Sequence, residues 1–291
     1  MKKYNIIWIL IFLIVEGIVI HWWISENSGD NYLQLTKKQN TVILGDSHAL
    51  FAFNALKNDS IANFAQTAEL YPFTYFKLKA LKENNSLLNK VYLSVGEHNF
   101  AKVWERNLND EEKIIEMINR YRKITPEYFF KKHLHSTYIK NYYYSKKVQI
   151  PIELHKDEKS FFHDLLGFKN AKNNPYTEEP NWSNDKTNIE KTLTKNFGDS
   201  VLVSNINVMY LDSIIVFCAK NNISLILFKT PTHHQYEEKI NAFFKANMKG
   251  LAAERKITIW RTSTNYDQLL MDADHLNKEG SKKFIEEFLL P

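Results

Sequence analysis

The sequence predicts an α/β domain on a mostly parallel sheet, carrying a large mid-chain insertion and preceded by an apolar helix. Two observations lead there. Short apolar runs alternate with stretches of helical periodicity on both sides of the mid-chain region, which is the pattern of βαβ units. Three of these runs end at a residue that punctuates a strand, Gly45, Gly96 and Pro231. In such sheets ligands bind beyond the C-terminal strand ends, so these positions mark the predicted active edge.

The elements follow in order. Tyr4 to Ile24 is apolar on nearly every face and interrupted by Glu16. It has about the 20 residues needed to cross a bilayer. Lys2 and Lys3 before it and Trp22 and Trp23 near its end predict a cytoplasmic N-terminus and an extracytoplasmic remainder. A cleaved signal peptide is the rival reading, but no small-x-small site precedes Ser25. Residues 1–25 are therefore expected to form a transmembrane signal anchor, 26–40 a linker, and 41–291 the folded domain. Glu16 is costly in lipid, so it either faces a partner helix or is tolerated on a lone one.

Within the domain, Thr41–Leu44 reads as a buried strand and Ala49–Leu56 as a helix. Ser60–Ala65 is a second strand, Pro72–Leu88 a helix and Lys90–Val95 a third strand. Asn207–Lys220 is helical, Ile223–Phe228 a strand, His234–Ala253 a helix, Ile257–Trp260 a last strand and Lys278–Leu289 a closing helix. The stretch from about 100 to 205 breaks this rhythm with basic and aromatic clusters such as Lys131-Lys132-His133 and Tyr142-Tyr143-Tyr144. It is expected to be one partly helical insertion over the active edge. Lys131–Lys147 is either a surface for a glycan or anionic polymer or an amphipathic helix with a solvated lysine face.

Composition narrows the classes. A net charge of +5 on 291 residues provides no concentrated basic face, so nucleic acid is not an expected partner. The single cysteine, Cys218, sits in an apolar run. It excludes an intramolecular disulfide and a thiolate zinc site, and it is expected to pack in the core.

Two motifs carry chemistry. Ile43-Leu44-Gly45-Asp46-Ser47-His48 places a serine hydroxyl at a strand-to-helix turn, where its own N–H can donate to a developing oxyanion. A plain helix N-cap by Asp46 or Ser47 fits the same residues. Far downstream, Asp272-Ala273-Asp274-His275-Leu276-Asn277 offers a base and an acid to hold its tautomer. Asp272 is the expected acid. Asp274 competes for the role, but it adjoins the histidine and is expected to point elsewhere. His233 and His234 follow Pro231 at the active edge and are expected either to touch substrate or to cap a helix. With no carboxylate at zinc-ligand spacing, no metal site is expected.

The paired motifs, GDSH near the start and DADHLNKEG near the end, resemble those of the GDSL/SGNH hydrolase superfamily, over roughly Thr41 to Leu290 apart from the insertion. The resemblance implies a flavodoxin-like sheet, no cofactor, and a Ser47–His275–Asp272 triad in which Ser47 attacks an acyl carbon. It also implies oxyanion donors. Ala68 is the nearest match to the family's glycine after the second strand. In Gly96-Glu97-His98-Asn99, Asn99 or His98 replaces the family's asparagine. The GDSH variant with one anchor is similar to the branch that modifies surface polymers, as in polysaccharide O-acetylation and cell-wall D-alanylation. That branch implies a surface glycan or its acyl donor as substrate and a multi-spanning membrane acyltransferase as partner. Two activities stay open, acyl transfer and ester hydrolysis. So does a catalytically weak scaffold role, suggested by the altered middle motifs.

Overall fold

The computed structural model describes residues 15–17, 33–108, 110–121, 124–133, 186–198 and 201–289. The chain divides into two units, Met1–Gln34 and Leu35–Pro291, and the second holds the sheet and the candidate site. The predicted anchor, apart from 15–17, lies outside the described residues, as does the insertion between 134 and 185. Among the described residues no helix is long and apolar enough to cross a membrane.

Five strands form one sheet: β1 (Thr41–Leu44), β2 (Ile61–Asn63), β3 (Lys90–Ser94), β4 (Ser224–Phe228) and β5 (Ile259–Trp260). All neighbours run parallel, in the order β2-β1-β3-β4-β5. The class is α/β with an all-parallel sheet. From β1 the chain steps outward to β2, then crosses back to β3 on the other side. The crevice beyond β1 and β3 is therefore the topological switch point, where such sheets bind ligands.

Nine described helices accompany the sheet: α1 (Ser47–Ala52), α2 (Tyr71–Asn84), α3 (Glu111–Tyr121), α4 (Glu127–His133), α5 (Lys186–Phe197), α6 (Asn205–Lys220), α7 (His234–Lys239), α8 (Ala242–Glu254) and α9 (Lys278–Leu289). Strand side chains alternate between faces. Ile43, Tyr92 and Phe228 join Phe53 of the turn after α1, and Phe284 and Phe288 of α9, in one buried cluster. Their alternates, Val42, Leu44, Val91, Leu93 and Leu227, are fully buried and face the opposite layer, where α2 packs on α6. Burial of both faces explains why β1 and β3 read as near-continuous apolar runs.

Several element boundaries differ from the sequence prediction: the helix after β1 is Ser47–Ala52, β2 is Ile61–Asn63 and α2 ends at Asn84, and two further differences have local reasons. The helix predicted over His234–Ala253 is two helices, because the Asn241 side chain accepts the Phe243 N–H at 2.9 Å and starts a new one. The last strand shrinks to Ile259–Trp260 because the Ile257 N–H is spent closing the preceding helix on the Ala252 carbonyl, at 2.9 Å. Cys218 is buried in α6, and burial pushes its thiol pKa up to about 12.

Candidate active site

The turn after β1 is shaped by Gly45 and Asp46. Gly45 has φ +129°, and a Cβ there would lie 2.0 Å from Ser94 Oγ on β3, so only glycine fits. Asp46 is the N-cap of α1, accepting the His48 N–H at 3.0 Å. Ser47 is thus the first helical residue and its side chain is released from capping. The same Asp46 carboxylate accepts from His98 Nε2 at 2.6 Å and from Asn99 Nδ2 at 2.8 Å, which ties the ends of β1 and β3 together. Burial works to raise the Asp46 pKa, but His98, His48 and the hydrogen bonds hold it well below the carboxylate range.

The second motif forms its own tight turn. Asp272 Oδ1 accepts the N–H groups of Asp274 at 3.0 Å and His275 at 2.8 Å, a side-chain-closed turn that local sequence can specify. The Met271 N–H donates to the His275 carbonyl at 2.9 Å. Asn277 then accepts the Gly280 N–H at 2.8 Å at the start of α9. Helix α9 reaches α1 through Ser281, whose Oγ donates to the Ala52 carbonyl at 2.9 Å and accepts the Ala55 N–H at 3.0 Å. The Phe53, Phe284 and Phe288 cluster packs beneath that joint. Two motifs more than two hundred residues apart meet because their helices share one core.

The result is a serine–imidazole–carboxylate array. His275 Nε2 lies 2.8 Å from Ser47 Oγ, and His275 Nδ1 lies 2.9 and 3.0 Å from the Asp272 oxygens. Phe51 of α1 sets its ring edge-on against the imidazole, 5.0 Å between centroids.

Asp274 corrects a sequence expectation. It does not point elsewhere: its Oδ1 lies 3.0 Å from His275 Nδ1, and its Oδ2 lies 3.4 Å from His48 Nε2 and accepts from Asn196 Nδ2 at 2.5 Å. The tight turn at Asp272 swings both carboxylates to one side of the ring. Asp272 presents both of its oxygens to Nδ1 and closes the turn through the His275 N–H as well, so it orients the ring. Asp274 is 3% exposed and Asp272 36%, so the buried charge of Asp274 acts on the imidazole with less solvent screening. Burial opposes protonation of His275, but Asp274 first and then Asp272 overcome it and hold its pKa well above the ordinary histidine value.

His48 extends this cluster. Its ring stacks on His98 at 4.2 Å, and Nδ1 lies 3.0 Å from Thr230 Oγ1. Burial and the neighbouring His98 lower its pKa, against the pull of Asp274 and Asp46. A neutral His48 therefore accepts from Thr230 and directs its Nε2–H toward Asp274.

Ser47, His275, Ala68, His98 and Asn99 line one pocket. Ala68 has φ +56°, a left-handed conformation that costs a non-glycine residue about 1–2 kcal/mol. Among the described residues neither the Ser47 nor the Ala68 N–H has a protein acceptor. Asn99 Oδ1 accepts from the Gly96 N–H at 2.8 Å and the Tyr71 hydroxyl at 3.2 Å. Its amide is therefore directed at Asp46, and one amide proton is left over.

His233 is not brought to this pocket. Its buried ring accepts the Gln235 N–H as the N-cap of α7, and its own backbone N–H donates to the Ala273 carbonyl at 2.9 Å. His234 pairs with Asp267 at 2.5 Å. The donor atoms of His233, His234 and Asp267 lie within 4.8 Å of one another, a grouping hidden in the sequence because Asp267 is far from the pair. Asp267 Oδ1 also accepts the His234 N–H at 3.0 Å at the start of α7.

Sequence reasoning missed the pocket's outer wall. Trp104, Lys195 and Asn196 line it, and Trp104 Nε1 donates to the Asn196 carbonyl at 3.0 Å. These residues belong to the mid-chain insertion, whose aperiodic sequence carries no signal for which side chains face inward. No family model matches the chain, and no curated protein matches it.

Proposed function

We propose that the chain is a serine enzyme that transfers or hydrolyses O-acyl groups, with Ser47, His275 and Asp272 as its triad. The carrying observation is the 2.8 Å contact from Ser47 Oγ to His275 Nε2, with Asp272 on the opposite ring nitrogen. In this reading His275 takes the hydroxyl proton as Ser47 Oγ attacks the acyl carbon. The tetrahedral oxyanion is received by the Ser47 and Ala68 N–H groups and by the remaining amide proton of Asn99. Collapse expels the alcohol, which takes its proton from the imidazolium. Water or a sugar hydroxyl then attacks the acyl-enzyme, with His275 again as base. The raised His275 pKa means that the base must first lose a proton, so activity rises with pH.

The strand order supports a flavodoxin-like, SGNH-type domain. The N-terminal pattern supports membrane anchoring with this domain outside the cytoplasm. The motif resemblance supports an acetyl-bearing surface glycan as substrate and a multi-spanning acyltransferase as partner. The test is a serine-directed fluorophosphonate together with a small acetyl ester. Ser47→Ala is expected to lose labelling and essentially all turnover. Undiminished labelling of that variant would remove Ser47 as nucleophile. Deleting the gene separates the activities: fewer acetyl groups on the glycan identify a transferase, more identify an esterase.

A second reading is a weakly catalytic binding subunit of a membrane assembly. It rests on the commitment of His98 and Asn99 to Asp46. It predicts that Ser47→Ala rescues a deletion strain as well as the wild type does.

A further inference from the structure

We propose that the buried cluster of Glu69, Lys77, Arg120 and Tyr121 is a positioning device that holds the Phe64–Glu69 turn so that the Ala68 N–H stays aimed at the oxyanion. This rests on the oxyanion role proposed for Ala68.

The turn is gripped at both ends. Its first half hangs from β1 and the Gly45 turn: the Phe64 N–H donates to the Ile43 carbonyl at 2.9 Å and the Gln66 N–H to the Gly45 carbonyl at 3.0 Å. Charged side chains hold both its start and its end. Lys77 Nζ donates to the Phe64 carbonyl at 2.5 Å, and Arg120 Nη1 donates to the Thr67 carbonyl at 3.2 Å. Glu69 accepts from Thr74 at 2.6 Å, from Lys77, and from the Tyr121 hydroxyl. Ala68 therefore sits between two anchored residues, Thr67 and Glu69, in a backbone conformation it does not favour.

The chemistry of the cluster points to direction rather than to stability. Lys77 and Glu69 have fully buried side chains. A buried ion pair is often no more stabilising than well-packed apolar residues of the same volume. What charged donors supply that apolar packing does not is a fixed direction for each carbonyl and carboxylate they hold. Burial lowers the Lys77 pKa, and the attraction of Glu69 opposes that, as expected of a tight pair. Arg120 and Tyr121 come from α3, inside the mid-chain insertion. The insertion thus contributes to the reacting geometry through residues that never meet the substrate.

The test uses the full chain with Arg120→Met and Tyr121→Phe, following acetyl-ester kinetics, the fluorophosphonate inactivation rate and the urea midpoint. Misplacing an oxyanion donor is expected to cut kcat and the inactivation rate together by about tenfold or more. KM should stay within about twofold and the pH profile should not move, because His275 is untouched. Arg120→Lys keeps a donor for the Thr67 carbonyl and should recover most of the lost kcat. Folded variants with wild-type kcat, or a loss confined to KM, would overturn the proposal. If Arg120→Met does not fold, Tyr121→Phe decides alone, since it removes only one hydroxyl. Should Ser47→Ala keep its labelling, the oxyanion reading and this clamp fail together. If that labelling is lost while both clamp variants run at full rate, the clamp alone is wrong.

Discussion

Two buried charged clusters flank the Ala68 turn, and they are built for opposite ends. On the pocket side, Asp46, His48, His98, Asp274 and His275 are joined through imidazoles. In the other, Glu69, Lys77 and Tyr121 form a lysine–carboxylate pair with a phenol donor, and Glu69 also lines the pocket. Burial is similar in both, yet the His275 imidazole lies 2.8 Å from Ser47 Oγ, whereas Lys77 Nζ is spent on the Phe64 carbonyl and on Glu69. The first cluster reaches a side-chain hydroxyl in the pocket, whereas the second grips a backbone carbonyl and its own carboxylate. Equal burial therefore does not imply equal function: what a buried charged group can reach decides whether it is poised to react or to hold structure.

The largest expected effect breaks the second cluster. Lys77→Met keeps the stem and removes the charge, leaving Glu69 buried without its cation, and should cost about 3–5 kcal/mol of stability in urea denaturation. A midpoint unchanged from wild type would mean that the Lys77–Glu69 pair does not hold the fold together.

A smaller effect tunes the first cluster. The His275 pKa is held up by Asp274 before Asp272, and in the proposed mechanism the base works only when neutral. Asp274→Asn is therefore expected to move the acid limb of kcat/KM to lower pH while leaving the Ser47–His275 contact in place. A limb that stays put or moves upward would show that Asp272 alone sets the basicity. The stability linkage has a matching sign. A raised folded pKa makes the His275 contribution full at low pH and lost as pH rises through the folded value. That loss should be blunted in Asp274→Asn.

The smallest effect concerns a buried histidine that belongs to neither cluster. His233→Asn keeps a side-chain acceptor for the N-terminus of α7 and should leave kcat/KM within about twofold. A large loss would place His233 in contact with substrate.

Much of this arrangement is legible in the sequence alone. The alternation of apolar runs and amphipathic stretches specifies β1, β3, β4 and α9 nearly to the residue, because burial on both faces of a parallel strand leaves a continuous apolar signature; the half-buried edge strand β2 is only half as long as the run predicts. The Ser47 turn and the Asp272–His275 loop are legible for a related reason. Each is a local structure closed by its own side chains, Asp46 for one and Asp272 for the other. The oxyanion side is less readable. Ala68 bears no glycine mark, and only its φ of +56° and its place in the pocket reveal the turn.

Local sequence, then, determined which residues sit at strand ends and which side chains close their turns, since those bonds span a few positions. Only the tertiary structure decided which partners meet across the fold. It brought Asp274 onto His275 and His48, sent Asn99 and His98 to Asp46, kept His233 out of the pocket, and set Arg120 and Tyr121 of the insertion behind Ala68. Such contacts depend on packing between elements far apart in the chain, and neither periodicity nor spacing encodes them.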